Sequence, residues 1–96
     1  MVVGVLRLTV FIPENQSLKG KRAVLRKLKA LVSNQFNVSI AESGDHDLWQ
    51  RATIGVAHVG SDQGHVDGEL RAIIRFIDDM GTVEVGEDSI EILHYA

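Results

Sequence analysis

Six cations crowd into eleven residues: Lys19, Lys21, Arg22, Arg26, Lys27 and Lys29 are six of the ten lysines and arginines in the chain. Lys19, Lys21 and Arg22 fall in the first turn and a half of the helix that this stretch predicts. The helix dipole is already positive there, and exposed cations are disfavoured by roughly 0.3–1 kcal/mol each. The chemistry such a placement suits is anion capture. The Ser17 hydroxyl, the first free backbone amides and the side chains of Lys19, Lys21 and Arg22 could together hold one phosphate. Arg26 and Lys29 would extend that contact along an RNA backbone, with affinity falling steeply as salt rises. The plainer alternative is a solvated helix face, or one paired with acids of a neighbouring chain.

Two further groups have suitable types. Glu42, Asp45, His46 and Asp47, with Trp49 close by, could ligate a divalent cation or exchange protons. Asp and Gly are also what a polar turn uses, so no metal is assigned. Trp49 is expected as a packing anchor or interface residue rather than a base-stacking platform. His58 and His94 have core parity near strand ends and read as structural histidines; His65 lies at the start of the second helix. The chain has no cysteine, which excludes thiolate catalysis, disulfides and Cys-based zinc sites.

The elements that must position these residues follow from periodicity. Val2 to Ile12 alternates, with Leu6, Leu8, Val10 and Ile12 on one side and Val3, Val5, Arg7, Thr9 and Phe11 on the other, as a central strand does. Pro13 ends it. Ser17 is a good N-cap for a helix from Leu18 to Gln35, whose apolar face is Leu18, Leu25, Leu28, Val32 and Phe36. Gly20 is a poor helix former, costing up to ~1 kcal/mol against alanine, and could allow close approach to the backbone. Asn37 to Ser43 predicts a second strand and Trp49 to Val59 a third. Ser61 or Asp62 caps a second helix, running to about Met80 with Val66, Leu70, Ile73 and Ile77 buried; Gly81 follows as a C′ residue. Thr82 to Val85 and Ser89 to Tyr95 read as two strand pieces around a turn or bulge at Gly86 to Asp88.

The order β, α, β, β, α, β with right-handed crossovers predicts a single α+β domain over 1–96. It is a ferredoxin-like split βαβ sandwich with a four-stranded antiparallel sheet and both helices on one face. The uncovered face would show Val3, Val5, Thr9, Phe11, Ser39, Ala41, Thr53, Gly55 and Ala57, with Arg7 and Arg51 among them. An apolar face of that kind usually marks an interface, so a homodimer or larger even oligomer packed sheet to sheet is expected. The alternative is that the C-terminal strand folds over part of it.

The net charge of −3 conceals a division. Residues 1–36 set seven bases against Glu14, whereas residues 37–96 set three bases against twelve acids. One basic surface on an acidic body would meet a polyanion at a single place; otherwise the halves neutralise each other within the fold or across an oligomer. No apolar run approaches the ~20 residues a membrane helix needs. Met1 to Ile12 lacks the basic start and cleavage site of a signal peptide. A cytoplasmic protein is expected.

Ser-Leu-Lys-Gly-Lys-Arg at 17–22, Phe-Asn-Val-Ser-Ile-Ala-Glu-Ser at 36–43 and Asp-Leu-Trp-Gln-Arg at 47–51 resemble the YlxP-like family of small bacterial proteins of unknown function. The resemblance implies a ferredoxin-like fold, oligomerisation and work near RNA or the ribosome. Its first motif maps onto Ser17, Leu18, Lys19, Lys21 and Arg22, and its second onto Glu42, Asp47, Trp49, Gln50 and Arg51. It supplies no catalytic role for any of them. Acylphosphatases share the fold, but the loop Pro13 to Arg22 lacks their glycine-rich cradle. The RNA-recognition sheet needs paired aromatics in its central strands, and Phe11 alone lies there. A non-enzymatic RNA-binding or ribosome-binding protein without a cofactor is therefore expected. The alternatives are a phosphorylated-metabolite-binding domain or small enzyme with the anion at the start of the first helix, and a purely structural oligomer.

Overall fold

Alternation along the first strand sets the architecture. In β1 (Val2–Phe11) the residues Val2, Gly4, Leu6, Leu8 and Val10 are buried, while Val5, Arg7 and Phe11 are exposed. A strand with one face this apolar must be covered on that face, and helices α1 (Leu18–Gln35) and α2 (Gln63–Asp79) cover it. The computed structural model describes residues 1–96. It completes the sheet with β2 (Ser39–Gly44), β3 (Arg51–Gly60) and β4 (Glu84–His94). All pairings are antiparallel and the strand order is β2-β3-β1-β4. This is the βαββαβ, ferredoxin-like α+β sandwich.

The core joins Leu6, Leu8 and Val10 of β1 and Ile54 and Val56 of β3 to Leu25, Leu28 and Val32 of α1 and Val66, Leu70, Ile73 and Ile77 of α2. At Gly4 the sheet lies close to α2. A Cβ there would meet Val66 Cγ1 at 2.5 Å and Leu70 Cδ1 at 2.7 Å, so glycine is what lets that helix seat on β1. The Ser17 side chain caps α1 by accepting from the Gly20 amide, and Asp62 caps α2 by accepting from His65 N. Gly81, at φ 68°, takes the left-handed conformation after α2 that its position predicts.

Two strands and one histidine differ from what the sequence predicts. The C-terminal segment is one strand rather than two pieces: Leu8 faces Asp88 and Val10 faces Val85, so Thr9 opposes both Gly86 and Glu87 in a bulge that pairing with β1 absorbs. It forms the sheet edge beside β1 and leaves the open face uncovered. The third strand begins at Arg51, not Trp49, because Leu48 to Gln50 belong to a turn in which Leu48 N donates to Asp45 O. His94 is exposed and bonds Gln63 Oε1 at 2.9 Å, whereas His58 is buried.

On the open face the register sets Val59, Val3 and Leu93 in one row, and Ser39, Ala57, Val5 and Glu91 in the next. Ala41, Gly55, Arg7 and Ser89 follow, and Arg51, Phe11 and Glu84 close the face at the end where α1 begins.

Candidate functional site

At the start of α1 the basic run divides by helical phase. Lys21 is three residues after Leu18, four before Leu25 and seven before Leu28, which puts it in the apolar stripe. Its residue is only 1% exposed. The ammonium lies 2.9 Å from Glu42 Oε2 and donates to the Asp45 carbonyl. Lys21 is therefore not part of a solvent-facing anion site: a carboxylate and a carbonyl of the same chain already neutralise and solvate it. The Gly20 amide is likewise in use, accepted by Ser17 Oγ at 3.0 Å. Nor is the space at Gly20 open to a ligand. A Cβ there would stand 2.3 Å from Asn15 Oδ1, so the close approach glycine permits is that of the Asn15 side chain.

The remaining bases face outward. Lys19, Arg22, Arg26 and Lys27 are exposed and Lys29 is half-buried. The three ion pairs of the chain are Lys21–Glu42, Arg51–Asp45 and Arg71–Asp67, so none of these five has a carboxylate partner. At 3.6 residues per turn Lys19, Arg22, Arg26 and Lys29 fall within about a quarter of the helix circumference, in a stripe ~15 Å long. Lys27 lies on the other flank. There is no acid anywhere in α1.

The second group of sequence candidates forms a clamp between the β1–α1 loop and the β2–β3 turn. Asn15 Nδ2 donates to Ser17 O at 2.8 Å and also to Trp49 O. Gln50 Nε2 donates to Asn15 O at 2.9 Å, and Ile12 N donates to Gln50 O at 2.9 Å. Asp45, at φ 62°, turns the chain. Its Oδ2 accepts from Thr53 Oγ1 at 2.9 Å and pairs with Arg51 Nε at 3.0 Å. Of the carboxylates proposed to gather round a cation, Glu42 and Asp45 are thus committed to Lys21, Arg51 and Thr53. No three His, Asp or Glu side chains lie together in an arrangement that could hold a metal ion. His58 Nδ1 is 3.1 Å from Asn37 O and Nε2 is buried without a partner, so this core histidine is satisfied at one nitrogen only.

Trp49 is not a packing anchor. It is 53% exposed and, with Phe11, Leu48, Asp47, Gln50 and Arg51, lines an open cleft of about 490 Å³. Phe11, from the end of β1, and Arg51, from the start of β3, are the members of this wall that strand parity finds. The turn brings Leu48 and Trp49 to it through the bonds of Asn15, a residue whose only sequence signal is its place just before an N-cap. Beside the cleft, and sharing Arg51, is a polar depression of about 430 Å³ on the open face.

A family model described as "Protein of unknown function (DUF503)" matches residues 3–89. The chain is similar to "Uncharacterized protein YlxP" of Bacillus subtilis (strain 168), at 40% identity over 83 residues, which cover 86% of this chain and 90% of that protein. Among solved structures, "De novo designed protein Foldit4" superposes with a TM-score of 0.55 over 100% of both chains at 13% identity, a likeness of fold alone.

Proposed function

We propose that this chain, which belongs to the family of proteins of unknown function DUF503, is a non-enzymatic binding protein that contacts RNA, free or in a ribosomal partner, through the outer face of α1. The observation that carries the proposal is the run of Lys19, Arg22 and Arg26, flanked by Lys27 and Lys29, without a carboxylate partner on a chain whose net charge is −3. Five cations on one acid-free helix repel one another, and those at its start, Lys19 and Arg22, also oppose its dipole. A polyanion laid along them relieves both and releases its counterions. An extended stripe favours this over a phosphorylated metabolite held at the helix start, since Lys21 and the Gly20 amide are occupied within the chain.

The test is a salt series of oligonucleotide binding. Four phosphate contacts to a single strand give a slope of about −3 in log K against log salt. Lys19→Ala, Arg22→Ala and Arg26→Ala together should flatten that slope and weaken binding at low salt. A slope near zero, or a triple variant that binds like the parent, would remove the proposal.

A second copy of the chain is the partner we propose for the open sheet face. Val5 and Val59 are exposed there, away from the Phe11 cleft, and the short side chains of Ala41, Gly55 and Ala57 keep it flat enough for two sheets to pack at ~10 Å. Arg7 has no carboxylate within ion-pair distance in its own chain. It borders a small dent with Glu91, so a two-fold related copy could exchange that pair reciprocally.

A further inference from the structure

Three of the chain's exposed large hydrophobic side chains, Phe11, Leu48 and Trp49, converge on one cleft. Exposing a tryptophan and a phenylalanine side by side costs hydration free energy that a core would recover. Their backbone is fixed all the same. Asn15 bridges the Trp49 and Ser17 carbonyls, and Gln50 is bonded both to Asn15 O and to Ile12 N. Ser17 is the N-cap of α1, so the bridge that holds Trp49 also places the cleft at the end of the molecule where the basic stripe begins, two residues before Lys19.

We infer that the cleft receives a base of a single-stranded polynucleotide whose phosphates lie along α1. The inference rests on the function proposed above and specifies the ligand. A cationic track beside an exposed aromatic is how single strands are held without sequence preference: the track follows the backbone and the ring stacks on a base. A duplex keeps its bases stacked inside and cannot offer one to Trp49. The neighbouring depression supports the same division of labour. It is lined by Arg7, Arg51, Asp45 and Glu87 with Thr9 and Thr53, and Asp45 is already bonded to Arg51 and to the Thr53 hydroxyl. That wall is balanced in charge and unsuited to a phosphate. The charge asymmetry between the two surfaces thus favours phosphates on the helix over phosphates on the sheet.

Trp49 is the single tryptophan of the chain, so its emission reports on the cleft directly. The whole protein is titrated with oligo(rU), with oligo(dT), with a duplex of equal length and with inorganic polyphosphate, following emission and, in parallel, binding heat. Oligo(rU) should quench emission saturably. Quenching by oligo(dT) as well would assign single strands generally, and its absence would assign RNA. Polyphosphate should bind through the stripe with emission unchanged, and the duplex should not quench. Trp49→Ala, at an exposed position, should weaken oligo(rU) binding about tenfold and leave polyphosphate binding as it was, and Leu48→Ala should weaken quenching in the same direction. Equal binding of oligo(rU) by parent and Trp49→Ala, with polyphosphate still bound, would overturn the cleft and leave the stripe standing. Binding of neither polymer would overturn both. Emission that shifts with protein concentration alone would assign the cleft to a second copy of the chain and overturn the inference.

Discussion

Replacing Lys21 separates the cation that holds the fold from those proposed to bind. Its side chain is 2% exposed, its Nζ sits 2.9 Å from Glu42 Oε2, and it also donates to the Asp45 carbonyl. Lys21→Ala deletes the aliphatic stem from the interface between α1 and the sheet and leaves a carboxylate and a carbonyl facing the gap. Breaking a buried pair by removing one partner costs about 3–5 kcal/mol. Glu42 keeps 19% of its side chain in contact with solvent, which places the expected loss at the lower end, about 3 kcal/mol. For a domain of this size that lowers Tm by about 12 °C or more. The double variant Lys21→Met with Glu42→Leu removes both charges and refills the space, and should lie within about 1 kcal/mol of the parent. Lys19→Ala, on the exposed face, should stay within about 0.5 kcal/mol. Thermal and urea unfolding followed by circular dichroism measure all three. A Lys21→Ala variant losing less than about 1 kcal/mol would refute the buried role. The folded double variant should also bind polyphosphate as the parent does, and a weakened double variant would return Lys21 to the anion site.

Gly20→Ala should gain up to ~1 kcal/mol of helix propensity yet displace Asn15, whose Oδ1 would be 2.3 Å from the new Cβ. The signature is faster amide exchange over Trp49 to Arg51 and a shifted Trp49 emission, and unchanged exchange there would show that Asn15 does not fix the turn. Val5→Glu puts a carboxylate at the centre of the open face, where Val5 is 36% exposed. Sedimentation velocity should show the parent as a dimer and this variant as a monomer with unaltered circular dichroism, and a monomeric parent would remove the sheet-to-sheet assembly.

Element order and strand parity were legible because they depend on local periodicity. The alternation of Val2 to Phe11 dictates which side chains meet the helices, and the helix stripes follow from Leu25, Leu28 and Val32 and from Val66, Leu70 and Ile77. The ends of β3 and β4 were less so. Trp49 and Gln50 continue an extended-looking run, but Asn15, more than thirty positions earlier, takes the Trp49 carbonyl into a clamp instead of a ladder. The bulge opposite Thr9 is invisible until β1 is known as the partner of β4. Lys21 is the instructive failure. Its residue type says surface, while its phase with Leu18, Leu25 and Leu28 says interior. Phase was the better guide because Glu42, the second-strand residue four positions after Val38, supplies the counter-charge that makes burial tolerable.

The same helical phase sets the remaining cations apart from Lys21. A basic residue near a helix N-terminus can be relieved from below by a buried acid or from outside by a ligand. The chain uses the first remedy once, at Lys21, and supplies no acid to Lys19, Arg22 or Arg26. Twelve acids in residues 37–96 were available to neutralise them, and the fold places the paired ones at Lys21, Arg51 and Arg71. The repulsion left along α1 therefore comes from where this fold sets its charges, not from a shortage of acids, and at the end where Asn15 bonds the Trp49 carbonyl the helix dipole adds to it. The single strand proposed above would satisfy both the unpaired stripe and the uncovered indole at once.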